Sequence, residues 1–174
     1  MSSLEFARPQ RVDTIGDEPR AIEVEANADE RAALARRFAL IGIDRLTGKF
    51  TIRRDAAGIV ADGRVEAAVT QACTITGDPL PATIDETVEL RFVPEVEAGQ
   101  DEVELGDSDI DVLPYEGDAI DLGEVAAETM ALALDPFPRG PNAKAVLSEA
   151  GVLNEEQAGP FGALAGLKDK LAGK

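Results

Sequence analysis

The feature that most constrains the fold is an alternation of apolar and polar residues that continues through three consecutive segments. It runs through residues 45–55, 58–73 and 81–95, and the first two segments are joined by a turn that ends in glycine. A period of two residues is typical of strands that bury one face, and short turns between such strands favour antiparallel pairing. The three segments therefore predict an antiparallel meander. Its buried side chains are expected to be Leu46, Phe50, Ile52, Ile59, Ala61, Val65, Ala67, Val69, Cys73, Ile84, Val88, Leu90 and Phe92.

Two further segments have the 3.6-residue periodicity of amphipathic helices. We expect one helix near residues 29–40, begun by Asp29, and a second near residues 121–134, where Asp121 and Glu124 resemble a capping box. The pattern predicts an α+β fold: an antiparallel sheet packed with two main helices, and a short amphipathic segment at the C-terminus. Aromatic residues make up only 4% of the chain, so the core must be built mainly from aliphatic side chains.

The chain length predicts a single domain over residues 1–174. The composition further predicts an extended N-terminal arm over residues 1–19, an acidic loop over residues 94–119 and a C-terminal tail over residues 142–174. No apolar run is long enough for a secretory signal or a membrane span, and a single cysteine excludes an intramolecular disulfide. We therefore expect a cytoplasmic protein that does not bind membranes.

The net charge of −17 is confined to the second part of the chain. Residues 1–64 carry eleven basic and eleven acidic residues, whereas residues 65–174 carry six basic and twenty-three acidic residues. Residues 92–138 contain fourteen acids and no base, whereas residues 31–64 contain eight bases and three acids. The acidic half is expected either to attract basic partners and repel phosphate backbones, or to act only as a solvated face.

The side chains that most often perform catalysis or bind metals are nearly absent. The chain has no histidine and one cysteine, which excludes Ser–His and Cys–His pairs and the usual zinc sites. It also lacks a glycine-rich phosphate loop and a dinucleotide fingerprint. We expect a protein that is not an enzyme, with no catalytic, cofactor-binding or metal site. Cys73 is expected to be a buried, structural thiol.

Basic side chains recur on the polar face of the first predicted strand. Arg45, Lys49 and Arg53 are spaced by four residues, so all three project from one side of a strand over roughly 27 Å. The candidate contact surface consists of these three residues together with Arg36, Arg37 and Arg54. Such a row could follow several phosphates of an RNA backbone. The competing interpretation is that these side chains form surface ion pairs with the acidic half.

Four stretches of the sequence occur in an informative order. They are EFARPQRVDTI, a strand end at Cys73 with a proline-containing turn and TVELRFVPE, DAIDLGEVAAETMALALDPFPR, and GPFGALAGLK. In this order they resemble the YceD-type large ribosomal RNA subunit accumulation proteins. The positions that carry the resemblance are Cys73, Pro136, Pro138, Arg139, Pro160 and Phe161. The chain departs from the family where Thr76 replaces the second Cys of a Cys-x-x-Cys pair and Gly140 replaces a frequent His, so a metal held by paired cysteines is not expected.

The resemblance implies a non-enzymatic factor in bacterial large ribosomal subunit biogenesis, which supports the accumulation of large-subunit ribosomal RNA. The charge distribution suggests that the acidic half binds a basic ribosomal protein, that the basic strand face contacts ribosomal RNA or its precursor, or both. Two alternatives come from other classes of protein. One is a general acidic chaperone without ribosome specificity, and the other is an RNA-processing enzyme, for which the sequence offers no catalytic residues.

Overall fold

The computed structural model describes residues 5–95 and 111–151, and the chain divides into two compact units. The larger unit comprises Met1–Gln71 and Pro79–Pro136, and the smaller unit comprises Ala72–Asp78 and Phe137–Lys174. The single domain expected for residues 1–174 stays a prediction. None of the described helices is long and apolar enough to cross a membrane.

The described residues form seven strands and three α-helices. In chain order they are β1 (Pro9–Arg11), β2 (Arg20–Glu25), α1 (Ala28–Arg37), β3 (Gly42–Asp55), β4 (Gly58–Ala72), β5 (Pro79–Pro94), β6 (Asp111–Tyr115), β7 (Ala119–Asp121), α2 (Leu122–Leu132) and α3 (Ala143–Glu149). The larger unit contains a five-stranded sheet with the order β2-β3-β4-β5-β6, in which β2–β3 and β3–β4 pair antiparallel. The predicted α+β fold, with its mostly antiparallel sheet and two main helices, is confirmed.

Strand β6 corrects the prediction of a continuous acidic loop over residues 94–119. It pairs in parallel with the end of β5, from Leu90 to Pro94, and adds a fifth strand to the sheet. Its Leu113 packs against the core. The strand was not predicted from the sequence because its short apolar run is surrounded by acids that dominate the local composition. The remainder of the predicted loop, residues 96–110, lies outside the described residues.

The N-terminal arm is held to the larger unit rather than extended away from it. β1 pairs antiparallel with β7 in a separate two-stranded sheet, and a 3₁₀ turn follows at Val12–Thr14. Phe6 is completely buried, and Ile15 is 5% exposed. The arm is therefore part of the core. Its partner Asp121 lies 113 residues from Arg8 in the chain, and no local periodicity indicates so distant a contact.

Helices α1 and α2 both pack against the inner face of the sheet. The buried side chains there are mainly aliphatic, as the composition requires. The ring of Phe50 lies against two glycines of the sheet, Gly48 and Gly63. A Cβ at Gly63 would be 2.5 Å from both the Lys49 carbonyl oxygen and the Phe50 ring. Glycine at position 63 therefore lets β3 and β4 approach closely around an aromatic side chain.

Each of these two helices begins at a side-chain cap. The cap of α1 is Asn27 rather than the expected Asp29: the Asn27 Oδ1 accepts hydrogen bonds from the amides of Asp29 and Glu30, and the Glu30 carboxylate accepts one from the Asn27 amide. The cap of α2 is Asp121, as predicted, and its Oδ1 accepts hydrogen bonds from two amides of the first turn. Glu124, which was predicted to complete a capping box with Asp121, pairs instead with Arg37.

The smaller unit contains the loop after β4 and helix α3. Cys73 is 3% exposed, which confirms its predicted burial, although it follows the end of β4 instead of lying within the strand. Helix α3 lies inside the predicted tail over residues 142–174. Residues 152–174 lie outside the described residues, and with them Pro160, Phe161 and the predicted amphipathic segment.

Candidate functional site

The predicted basic row lies on the outer face of β3. Arg45 and Lys49 are exposed and Arg53 is half-buried, whereas the alternate side chains of the same strand point into the core. A register shift between Ile43 and Arg45 leaves this alternation intact from Arg45 onwards. Among the described residues, no ion pair involves Arg45. The strand therefore places the three side chains on one face, as the spacing predicts.

Acidic side chains on the neighbouring strands interrupt this row. Lys49 Nζ is 3.7 Å from Oε1 of Glu23 on β2, and both side chains are about two-thirds exposed. The register also places Thr47 directly between Glu25 of β2 and Glu66 of β4. The outer face of the sheet is consequently of mixed charge and is not a continuous basic strip.

Other cations of this face also have acidic partners. Arg53 and Arg91 approach the same carboxylate, that of Asp55, at 3.8 and 2.6 Å. The Nε and Nη2 atoms of Arg64 both donate to the carboxylate of Asp85 on β5. Solvent and salt screen ion pairs at the surface, so these pairs balance charge more than they hold the sheet together.

Arg54 contacts the arm instead of solvent. Its Nε donates to the Ile15 carbonyl at 3.1 Å, its guanidinium donates to the Val12 carbonyl, and its backbone amide donates to the Gly16 carbonyl at 2.6 Å. Three carbonyl groups of the arm are thus satisfied by one residue of β3. These bonds support a role in the fold for Arg54.

Arg37 joins the two main helices. Its guanidinium donates to both carboxylate oxygens of Glu124, at 2.9 and 2.5 Å, and to Glu5 at 3.2 Å. The hydrogen bonds to Glu124 raise the pKa of Arg37, and burial raises the pKa of the nearby Glu128 carboxyl. Arg36, on the same helix, is exposed and has no ion pair among the described residues. Of the two helix arginines, Arg36 is the one available to a partner.

Arg8 is another arginine that joins distant elements through an ion pair, and the sequence did not predict this role. Its guanidinium donates to both Glu30 oxygens at 2.8 and 2.9 Å and lies 4.6 Å from the centre of the Phe6 ring. Its backbone amide donates to Asp121 Oδ1 at 2.9 Å. Arg8 therefore connects the arm to the starts of both helices, and the only indication in the sequence was its place in the EFARPQRVDTI stretch.

The sulfur of Cys73 lies in a loop whose hydrogen-bond donors surround it. The Gly140 amide donates to Cys73 Sγ at 3.3 Å, and the Cys73 amide donates to the Asp78 carbonyl at 2.8 Å. The bond from Gly140, followed by those from Thr76 and Ile75, lowers the pKa of the Cys73 thiol to about 7. Donors of this kind stabilise the thiolate more than the thiol.

We expect this thiol to make the stability of the protein depend on pH. A folded-state pKa below the unfolded one adds stability that is fully present above the unfolded pKa, and this stability is lost as the pH falls through about 7. The difference in unfolding free energy between the parent and Cys73→Ala should therefore grow as the pH rises from about 6 to about 9. Urea titrations across this range would measure it, and a pH-independent difference would contradict the assigned hydrogen bonds.

The other family-motif positions of the described chain are divided between the two units. The Pro138 carbonyl accepts hydrogen bonds from the amide and hydroxyl of Thr74, at 2.9 and 3.1 Å, which joins the Pro-x-Pro-Arg segment to the Cys73 loop. Arg139 is exposed, and Pro136 belongs to the larger unit. Within residues 5–95 and 111–151, no three acidic or cysteine side chains are arranged to hold a metal ion.

These observations define a small α+β protein with a mostly antiparallel sheet, two covering helices and a mixed-charge outer face. A model of the family described as "Large ribosomal RNA subunit accumulation protein YceD" matches residues 61–168. The match covers more than half of the chain, so the chain belongs to this family, and the resemblance found in the sequence is confirmed. Comparisons with curated proteins and with solved structures gave no match.

Proposed function

We propose that this protein is a non-enzymatic, cytoplasmic factor in large ribosomal subunit biogenesis, and that it acts by binding a basic ribosomal protein. The observation that carries the proposal is family membership, because the family is described by the accumulation of the large ribosomal RNA subunit. The charge of the chain supports the choice of partner. The fourteen acids and no base of residues 92–138 attract a basic protein and repel RNA.

Direct contact with ribosomal RNA or its precursor is the second candidate. Arg36 and Arg45 favour it, since both are exposed and have no ion pair among the described residues. The acids that flank Lys49 and Thr47 weaken the attraction of this face for phosphates. Arg37 and Arg54 are engaged by Glu124 and by the arm, so these two residues of the candidate contact surface are not left for RNA.

Sedimentation separates the proposal from the two alternatives of other classes. A ribosome biogenesis factor should comigrate with a large-subunit precursor, whereas a general acidic chaperone should spread over all fractions that contain basic proteins. An RNA-processing enzyme should change the ends or modifications of the precursor RNA when added to it in purified form. Crosslinking the comigrating protein in cells and identifying both RNA and protein would then give the direct partner.

The triple change of Arg45, Lys49 and Arg53 to Ala is expected to leave comigration with the precursor unchanged, because the proposed partner binds the acidic half. RNA affinity measured over a range of salt concentrations should keep the slope of the parent. The control replaces three other exposed cations, Arg11, Arg20 and Lys144, and changes the net charge by the same amount. A loss of affinity confined to the first variant, with the slope lowered by nearly one per lost contact, would instead assign RNA binding to β3.

A further inference from the structure

A groove of about 360 Å³ lies between β5 and the C-terminal end of α2. Its wall on the strand side is formed by residues 86–90, and its wall on the helix side by Thr129, Leu132 and Ala133. Leu132 is 87% exposed, the largest exposed fraction among the large apolar side chains of the described residues. An isolated exposed leucine is unremarkable, but here it borders a groove with a backbone edge on its other side.

That backbone edge is only partly used within the described chain. β5 extends from Pro79 to Pro94, with β4 on one side, and β6 covers the other side only from Leu90 to Pro94. No described strand pairs with residues 80–89 on that side. Unpaired amide and carbonyl groups along a strand edge are a template for another strand.

The charge of the groove has one sign. The described residues that line it include three carboxylates, those of Glu86, Glu89 and Asp111, and no Lys or Arg. Among the described residues none of the three forms an ion pair, in contrast to Glu30, Asp55 and Asp85 elsewhere in the sheet and helices. Glu86 also interrupts the inward-facing row of Ile84 and Val88, at a place that α2 leaves exposed.

The helix end adds to this negative potential. The last turn of α2 contains no basic residue, so its unpaired carbonyl groups keep the partial negative charge of a helix C-terminus. Thr129, Leu132 and Ala133 bring that end of the helix to the groove. A cation in the groove would be favoured by both the carboxylates and the helix.

Charge complementarity also decides against two other occupants. A second copy of the chain carries a net charge of −17, and it would bring a like charge to the groove. The segment of the chain nearest in sequence, residues 96–110, contains six acids and no base. Acids along an edge strand prevent pairing with acidic strands, but they favour pairing with a basic one.

We propose that this groove binds an extended, lysine- or arginine-rich segment of a basic partner protein, which adds as a strand along residues 80–89 of β5 and packs its apolar side chains on Leu132. The inference rests on the proposed function for the identity of the partner's class, and it gives that partner a site. Basic side chains on the inner face of the added strand would meet Glu86 and Asp111, one on its outer face would meet Glu89, and backbone hydrogen bonds supply the remaining recognition.

The test uses the full chain and a peptide of about ten residues in which pairs of Lys alternate with pairs of Val, so that each face of the added strand carries both residue types. The peptide should bind the parent, and the triple change Glu86→Gln, Glu89→Gln and Asp111→Asn should weaken binding by about tenfold, since three attractions are lost at once. The control, Asp17→Asn with Glu18→Gln and Glu149→Gln, removes the same charge from exposed positions elsewhere and should change the affinity by less than about twofold. Leu132→Ala should also weaken binding without unfolding the protein.

Hydrogen exchange gives a second readout. The peptide should slow the exchange of amides within residues 80–89, because strand addition covers them. Equal affinity in the groove and control variants, or protection that leaves residues 80–89 unchanged, would overturn the proposed site. Peptide binding by a parent that fails to comigrate with the large-subunit precursor would refute the proposed function and leave the groove standing, so the two failures are distinguishable.

Discussion

Gly123→Ala is expected to destabilise the larger unit by about 3 kcal/mol or more. In most helices this change stabilises by about 0.5–1 kcal/mol, because alanine is the better helix former. Here a Cβ would lie 2.1 Å from the Phe6 carbonyl oxygen and 3.1 Å from the Arg8 amide nitrogen. Both contacts are with backbone atoms of the arm, and the arm is fixed by the buried Phe6 ring and by the bond from Arg8 to Asp121. Neither atom can rotate out of the way.

Urea unfolding of the variant and the parent would measure this effect. Gly42→Ala is the matched control, because nothing lies within 4 Å of a Cβ built at Gly42. It should change the unfolding free energy by less than about 0.5 kcal/mol. A stabilised Gly123→Ala variant would show that the arm does not cross the start of α2.

Phe6→Ala is expected to cost about 3–5 kcal/mol of unfolding free energy. The ring is completely buried in the same core as Ile15, Ile120 and Leu122, and its removal leaves a cavity where the arm meets α2. The Arg8 guanidinium, which lies 4.6 Å from the ring centre, would lose that contact as well.

Two comparisons make the measurement on Phe6 specific. Phe6→Leu fills most of the space and should cost less than half as much as Phe6→Ala. Leu132→Ala removes a side chain that is 87% exposed and should be nearly neutral for stability. If Phe6→Ala were as mild as Leu132→Ala, the arm would not belong to the core.

The strand interiors were predictable because their information is local. The period of two residues in β3, β4 and β5 was enough to assign Leu46, Phe50 and Ile52 to the core and Arg45, Lys49 and Arg53 to the outer face. The helices were likewise predictable from their local periodicity. The cap of α1 is Asn27 and not the predicted Asp29, since both residue types are good caps and the two positions are two residues apart.

Contacts between distant parts of the chain were not predictable in this way. The pairing of β1 with β7, the parallel addition of β6 and the bonds from Arg8 to Glu30 all depend on how elements meet in space. The candidate basic row shows the same limit. Its spacing was correctly read, but the acids beside it belong to β2 and β4 and are placed by inter-strand register, which a single strand does not encode.

The pairing of β1 with β7 also sets an order of events while the protein is being made. The arm leaves the ribosome before α2 does, because Asp121, to which Arg8 binds, is added 113 residues later. At about 5–20 residues per second, this delay is about 6–23 s. During that interval β2, β3 and β4 can assemble, but Phe6 has no finished core to enter. The newly made chain therefore exposes an aromatic anchor until α2 emerges, and closure of the arm is a late, long-range step that slows folding.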